Sequence, residues 1–237
     1  MTHDSSAVEQ PDAAPGRRPW RPEPVPGEPV FFLSYSRAQP LHGAQNDLDK
    51  PVYDFFMRLS GLVNESMALE DRPAGFIDRG LGGGERWSDE LGFAIGHCQV
   101  LVVLLTPGYL TSDWCAREFD AFTRRRPVPN PGIPGADRRT SVLQVLWNPY
   151  ALRGGSRLPK ALRSVQRFTP GPRSGPAEQL YLTEGIHGLY WLDNSTSGSL
   201  EAVIWLLARS IVDAYNERWV EPQTFAVSDL RTDFGEV

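Results

Sequence analysis

Apolar positions along this chain fall into short unbroken runs separated by longer stretches of helical spacing. Val30–Tyr35 is apolar and aromatic, and Pro51–Val63 follows with Val52, Phe55, Phe56, Leu59, Leu62 and Val63 on one stripe. The pattern predicts a strand and then a helix with Pro51 in its first turn. Ala74–Asp78 is a second short run, and Trp87, Leu91, Ala94, Ile95 and Cys98 make the next helical stripe. Val100–Leu105 is apolar at every position, as a central strand is when helices cover both faces of a parallel sheet. After Ser112, a suitable N-cap, Cys115, Phe119 and Phe122 mark a third helix. A fourth strand is expected at Val142–Trp147 and a fifth at His187–Leu192. The closing helix carries Leu200, Val203, Ile204, Leu207, Ile211 and Tyr215 on one face. This alternation predicts an α/β domain: a five-stranded parallel sheet wrapped by helices on both faces, with ligands bound beyond the carboxyl ends of its strands.

Three stretches break the alternation. Residues 1–27 hold six prolines from Pro11 to Pro26 and little apolar content, which predicts a disordered tail. The connection Thr123–Thr140 exceeds ordinary loop lengths and reads as an insertion or mobile loop, and Asn148–Gly185 is irregular. Residues 218–237 are expected to form a second tail, leaving 28–217 as the folded domain.

Composition narrows the function classes. Of 237 residues, 41% are hydrophobic and 22% charged, so the bulk of the chain folds as an ordinary globular domain. The net charge of −5 argues against a general nucleic-acid-binding surface, whose affinity would come from neutralising phosphates. The longest apolar run, Val100–Leu105, is far too short to cross a bilayer, and the polar N-terminal stretch does not resemble a signal peptide. Two cysteines outside any CxxC pair fit a reducing compartment, and the expected location is cytoplasmic. His3, His42, His97 and His187 are scattered without metal-ligand spacing, so no metal is expected.

Candidate chemistry collects where strands end. Phe31-Phe32-Leu33-Ser34-Tyr35-Ser36-Arg37 passes abruptly from apolar side chains to hydroxyls and a guanidinium. This is either a strand meeting water or a binding edge that offers donors and an aromatic face. Asp78–Trp87 holds four glycines in five positions ahead of a helix N-terminus, suited either to a flexible loop or to close approach of a phosphate. It has neither the Walker pattern nor GxGxxG spacing. In Ser112–Phe119, Trp114 and Glu118 lie four apart on one helix face, and Glu118 borders the buried stripe. Glu118 is then either a glutamate favoured by the helix dipole or a partly desolvated acid beside an aromatic wall. The second arrangement suits a sugar whose reacting carbon becomes cationic.

In order and spacing these pieces resemble a Toll/interleukin-1 receptor (TIR) domain of bacterial type. Phe32-Leu33-Ser34-Tyr35 is similar to the family's first box, Asp78–Trp87 to its BB loop, and Leu104–Phe119 to its third strand and following helix. More narrowly, the chain is similar to the TIR-like FxsC proteins of actinobacteria. The resemblance implies a flavodoxin-like sheet and, in the enzymatic branch of the family, cleavage of NAD⁺ at the nicotinamide–ribose bond. NAD⁺ is then the substrate, and no separate cofactor is implied. The pattern Trp114-x-x-x-Glu118 makes Glu118 the expected catalytic residue. Phe32, Ser34, Tyr35, Arg37, Asp78, Trp87 and Trp114 become the expected substrate-binding set, with the BB loop closing over it. The family also implies self-association or pairing with other TIR-like domains. A non-catalytic TIR interaction module remains the alternative.

Overall fold

The computed structural model describes residues 20–38, 47–70, 73–78, 88–149, 158–171, 175–192 and 198–235. In chain order its elements are β1 (Phe31–Ser34), α1 (Lys50–Met67), β2 (Gly75–Ile77), α2 (Asp89–His97), β3 (Val100–Leu105), α3 (Asp113–Thr123) and β4 (Pro127–Pro129). They continue with β5 (Val142–Leu146), α4 (Lys160–Arg163), α5 (Pro176–Leu192), α6 (Ser199–Glu217) and β6 (Arg218–Val220). Four strands pair in parallel in the order β2-β1-β3-β5, with Phe32 opposite both Phe76 and Leu101 and Val103 opposite Gln144. The expected parallel α/β sheet is therefore present, with four strands among the described residues.

Strand alternation divides the core into two layers. Phe31, Leu33, Val102 and Leu104 face α1, α5 and α6, whereas Phe32, Leu101, Val103 and Leu105 face α2 and α3. All six residues of β3 are buried, because it lies inside the sheet and is covered on both sides. The helices follow their apolar stripes. α1 buries Val52, Phe55, Phe56, Leu59 and Val63 and begins with Pro51 in its first turn. Ser88 caps α2 by accepting from the Leu91 amide at 3.1 Å, and Ser112 caps α3 by accepting from the Cys115 amide at 3.3 Å.

The structure differs from the sequence reading in five places. His187–Leu192, expected as a fifth strand, is the end of α5. Ile186 and Leu189 are buried three apart while Trp191 is 68% exposed, which is helical and not alternating burial. Six apolar residues carry too little periodicity to separate the two cases. α5 bends at Gly185, whose φ of +69° lies in the left-handed region. A Cβ there would stand 2.6 Å from the carbonyl oxygen of Trp147. Gly185→Ala is therefore expected to lower stability by at least about 2 kcal/mol through strain and backbone contact, measured by denaturant unfolding. A cost below a few tenths would mean that the bend is not required.

The other four differences concern segments read as loose. Within Thr123–Thr140, β4 pairs antiparallel with β6, which lies in the expected C-terminal tail, with Val128 opposite Trp219. Beyond it, Leu230 and Phe234 are buried, and the Phe234 ring centroid lies 5.4 Å from that of Tyr109 and 5.7 Å from that of Phe119. At the other end, Arg21 belongs to the expected N-terminal tail. Its guanidinium sits 3.6 Å from the centre of the Tyr215 ring and donates to the Tyr215 carbonyl at 2.8 Å. Within Asn148–Gly185, the described residues include α4 and the start of α5. Three-residue strands and isolated aromatic anchors leave no periodic signal, so their pairing is visible only in three dimensions.

Candidate active site

The strand order places β1 between β2 and β3. The chain leaves β1 through α1 to β2 on one side, then returns through α2 to β3 on the other, so connections diverge at the carboxyl ends of β1 and β3. Such a switch point is where open α/β sheets form a crevice.

Ser34, the last residue of β1, projects to the α3 side like Phe32 two residues earlier, and Glu118 meets it from α3. The Ser34 hydroxyl donates to Glu118 Oε2. Ser34 Oγ also lies 3.1 Å from the Tyr109 hydroxyl, on a single helical turn (Tyr109–Thr111) that follows β3. Cys115, one turn before Glu118, lines the same pocket. Ser34, Tyr109, Cys115 and Glu118 are all at most 2% exposed. Three separate chain segments thus enclose one carboxyl.

Burial pushes the Glu118 carboxyl up to about 8, and the nearby Asp78 charge adds to the rise. The Ser34 hydrogen bond opposes it, as do Arg37 and Trp114. Burial also raises the Tyr109 phenol well above its ordinary value, and raises the Cys115 thiol with help from Glu118. A carboxyl titrating in the neutral range can change charge when a cation or a polar ligand approaches.

At the mouth, Arg37 Nη2 pairs with Asp78 Oδ2 at 3.1 Å and links the segments that follow β1 and β2. Both side chains are partly exposed, and both influence Glu118 electrostatically. Trp114, half-buried, packs against the α2–α3 core in the first turn of α3. Ser34, Trp114 and Glu118 therefore come together, with Arg37 and Asp78 beside them. Tyr35 turns to the opposite layer against α1, and burial there raises its hydroxyl to about 12, with Asp49 contributing. Phe32 is fully enclosed beneath the site, stacked on Phe76 at 5.4 Å between centroids. Trp87 and the glycine loop from residue 79 onward lie outside the described residues. Sequence reasoning did not single out Tyr109, because a lone tyrosine on a single turn belongs to no stripe.

Among the described residues no group of histidine, cysteine and acidic side chains is arranged to hold a metal ion, and no helix is long and apolar enough to cross a membrane. No curated protein matches the chain. The family model described as TIR domain matches residues 67–134, from the end of α1 through β2, α2, β3 and α3 to just beyond β4. That match, over the segment that carries β2, α2, β3 and α3 of a parallel sheet flanked by helices, supports a TIR domain in this part of the chain.

Proposed function

We propose that this TIR domain cleaves NAD⁺ at the bond between nicotinamide and ribose, as a glycohydrolase or cyclase working in self-associated form. The observation that carries the reading is the enclosed Glu118 carboxyl between Ser34 and Trp114 at the carboxyl edge of the sheet. When the C1′–N bond breaks, its electron pair leaves with nicotinamide and positive charge develops on the ribose. An ionised carboxylate held in a low-dielectric pocket stabilises that charge more strongly than water does. A water oxygen then bonds C1′ and gives up a proton to solvent, or a nitrogen of the substrate's own adenine bonds C1′ instead.

Glu118 reaches this role by ionising. Approach of the cationic nicotinamide ring favours the carboxylate, whose proton passes to solvent while Ser34 goes on donating to it. Arg37 exchanges Asp78 for the substrate's phosphates, Trp114 walls the entrance, and Phe32 supports the floor from beneath. Trp87, in the BB loop, belongs to the same proposed substrate-binding set. A loop of glycines brings few side chains, so a neighbouring copy of the chain completes the pocket.

Purified protein incubated with NAD⁺ is expected to release nicotinamide, with specific activity rising as protein concentration increases. Constant specific activity on dilution, with a monomeric scattering mass throughout, counts against assembly at the site. No nicotinamide at any concentration would remove the enzymatic reading. One feature favours the alternative of a non-catalytic interaction module: a carboxyl this enclosed also serves to fasten α3 to β1. That module predicts partner binding with no nicotinamide release.

A further inference from the structure

Tyr109 belongs to the enclosed cluster but has no part in the proposed reaction. Its phenol is fully buried, and among the described residues its hydrogen-bond partner is Ser34 Oγ. The ring is fixed by Phe234, 5.4 Å away between centroids, and the Tyr109 amide donates to Thr106 Oγ1 at 3.0 Å. A serine hydroxyl has one hydrogen to give. When Ser34 donates to an ionised Glu118, its oxygen accepts from Tyr109, and every hydrogen in the chain Tyr109–Ser34–Glu118 has an acceptor. When Glu118 carries the proton and donates to Ser34, the chain reverses and the phenol hydrogen loses its place in a site without water contact. The protonation state of Glu118 and the direction of two hydrogen bonds are therefore coupled.

We propose that Tyr109 is a positioning residue: its hydroxyl orients Ser34 toward Glu118 and so holds the carboxylate in its ionised, reactive form. The proposal rests on reading Glu118 as the group that stabilises the ribose cation. The other titratable or charged groups facing Glu118 are Cys115 from its own helix, Arg37 from the segment after β1 and Asp78 from the segment after β2. None of them is changed by Tyr109→Phe, which keeps the ring and its packing and removes only the hydroxyl.

The test is the titration of Glu118, followed by carbon-13 resonances of glutamate-labelled protein with Glu118→Gln to assign the signal. Tyr109→Phe is expected to raise proton affinity at Glu118 by roughly three- to tenfold. The acid limb of the pH profile of kcat/KM for NAD⁺ should move upward by the same factor, with activity recovering at higher pH. In a Ser34→Ala background, Tyr109→Phe should produce no further shift, because its link to the carboxyl is already cut. An unchanged Glu118 midpoint in Tyr109→Phe would overturn the proposal. So would an equal loss of activity at every pH, or shifts that simply add in the double variant. If the wild type cleaves no NAD⁺, the enzymatic reading fails, and the resonance titration still decides the role of Tyr109.

Discussion

Glu118→Gln is expected to abolish nicotinamide release and at the same time to melt at a higher temperature than the wild type at pH 8 and above. Glutamine matches the protonated acid in shape, accepts from Ser34 and carries no charge into the pocket. The folded-state value for Glu118 is about 8 against an ordinary value of 4.5, so between these limits the folded chain binds more protons here than the unfolded chain. Stability from this group is fully present below the lower value and is lost as pH rises toward 8, after which the loss is complete. The variant has no such titration. The difference in stability between the two proteins should open across that window to a few kcal/mol, on the order of 1.4 kcal/mol for each unit between the two values. Melting curves of both proteins at intervals from pH 5 to pH 9 measure it. Parallel curves would show that Glu118 is not held neutral by burial, and a variant unfolded at every pH would make its role structural.

Arg125→Ala is expected to be the most destabilising single substitution outside the apolar core, although Arg125 stands well away from the site. Arg125 is 2% exposed, and its guanidinium donates mainly to backbone carbonyls, with Cys98 Sγ a further contact. Nη1 donates to Ile95 and Cys98 at 2.9 and 2.7 Å, Nη2 to Val220 at 3.0 Å and Nε to Glu221 at 3.0 Å. One side chain thus joins the end of α2 to the strand β6 that follows α6. Removing it leaves buried carbonyls without their donor, which costs about 3 kcal/mol or more and lowers the melting temperature by roughly 6–12 °C. Arg125→Lys should recover only part of this, because an ammonium does not present the planar fork that reaches several acceptors at once. Hydrogen exchange should show residues 218–222 losing protection before β3 does. A melting temperature within a degree of the wild type would show that the C-terminal segment holds without this contact.

What could be read from the chain alone is what local periodicity encodes. The uninterrupted apolar run at Val100–Leu105, the stripes of α1, α3 and α6 and the serine cap at Ser112 are each set by residues within a turn or two of one another. They suffice for a parallel α/β sheet, and the Trp114–Glu118 spacing suffices to put an acid at the edge of a buried face. Tertiary structure decided the rest. β4 and β6 are three residues each and exist only through one another, and Gln99 holds Val220 from 121 positions away. His187–Leu192 became helix because Gly185 could bend against the Trp147 carbonyl, a contact no window of apolar residues contains. Tyr109 joined the site because the ends of β1 and β3 lie side by side. Glu118 acquired its near-neutral titration from the same neighbours, since desolvation is a property of everything packed around a carboxyl and not of the residues beside it in the chain.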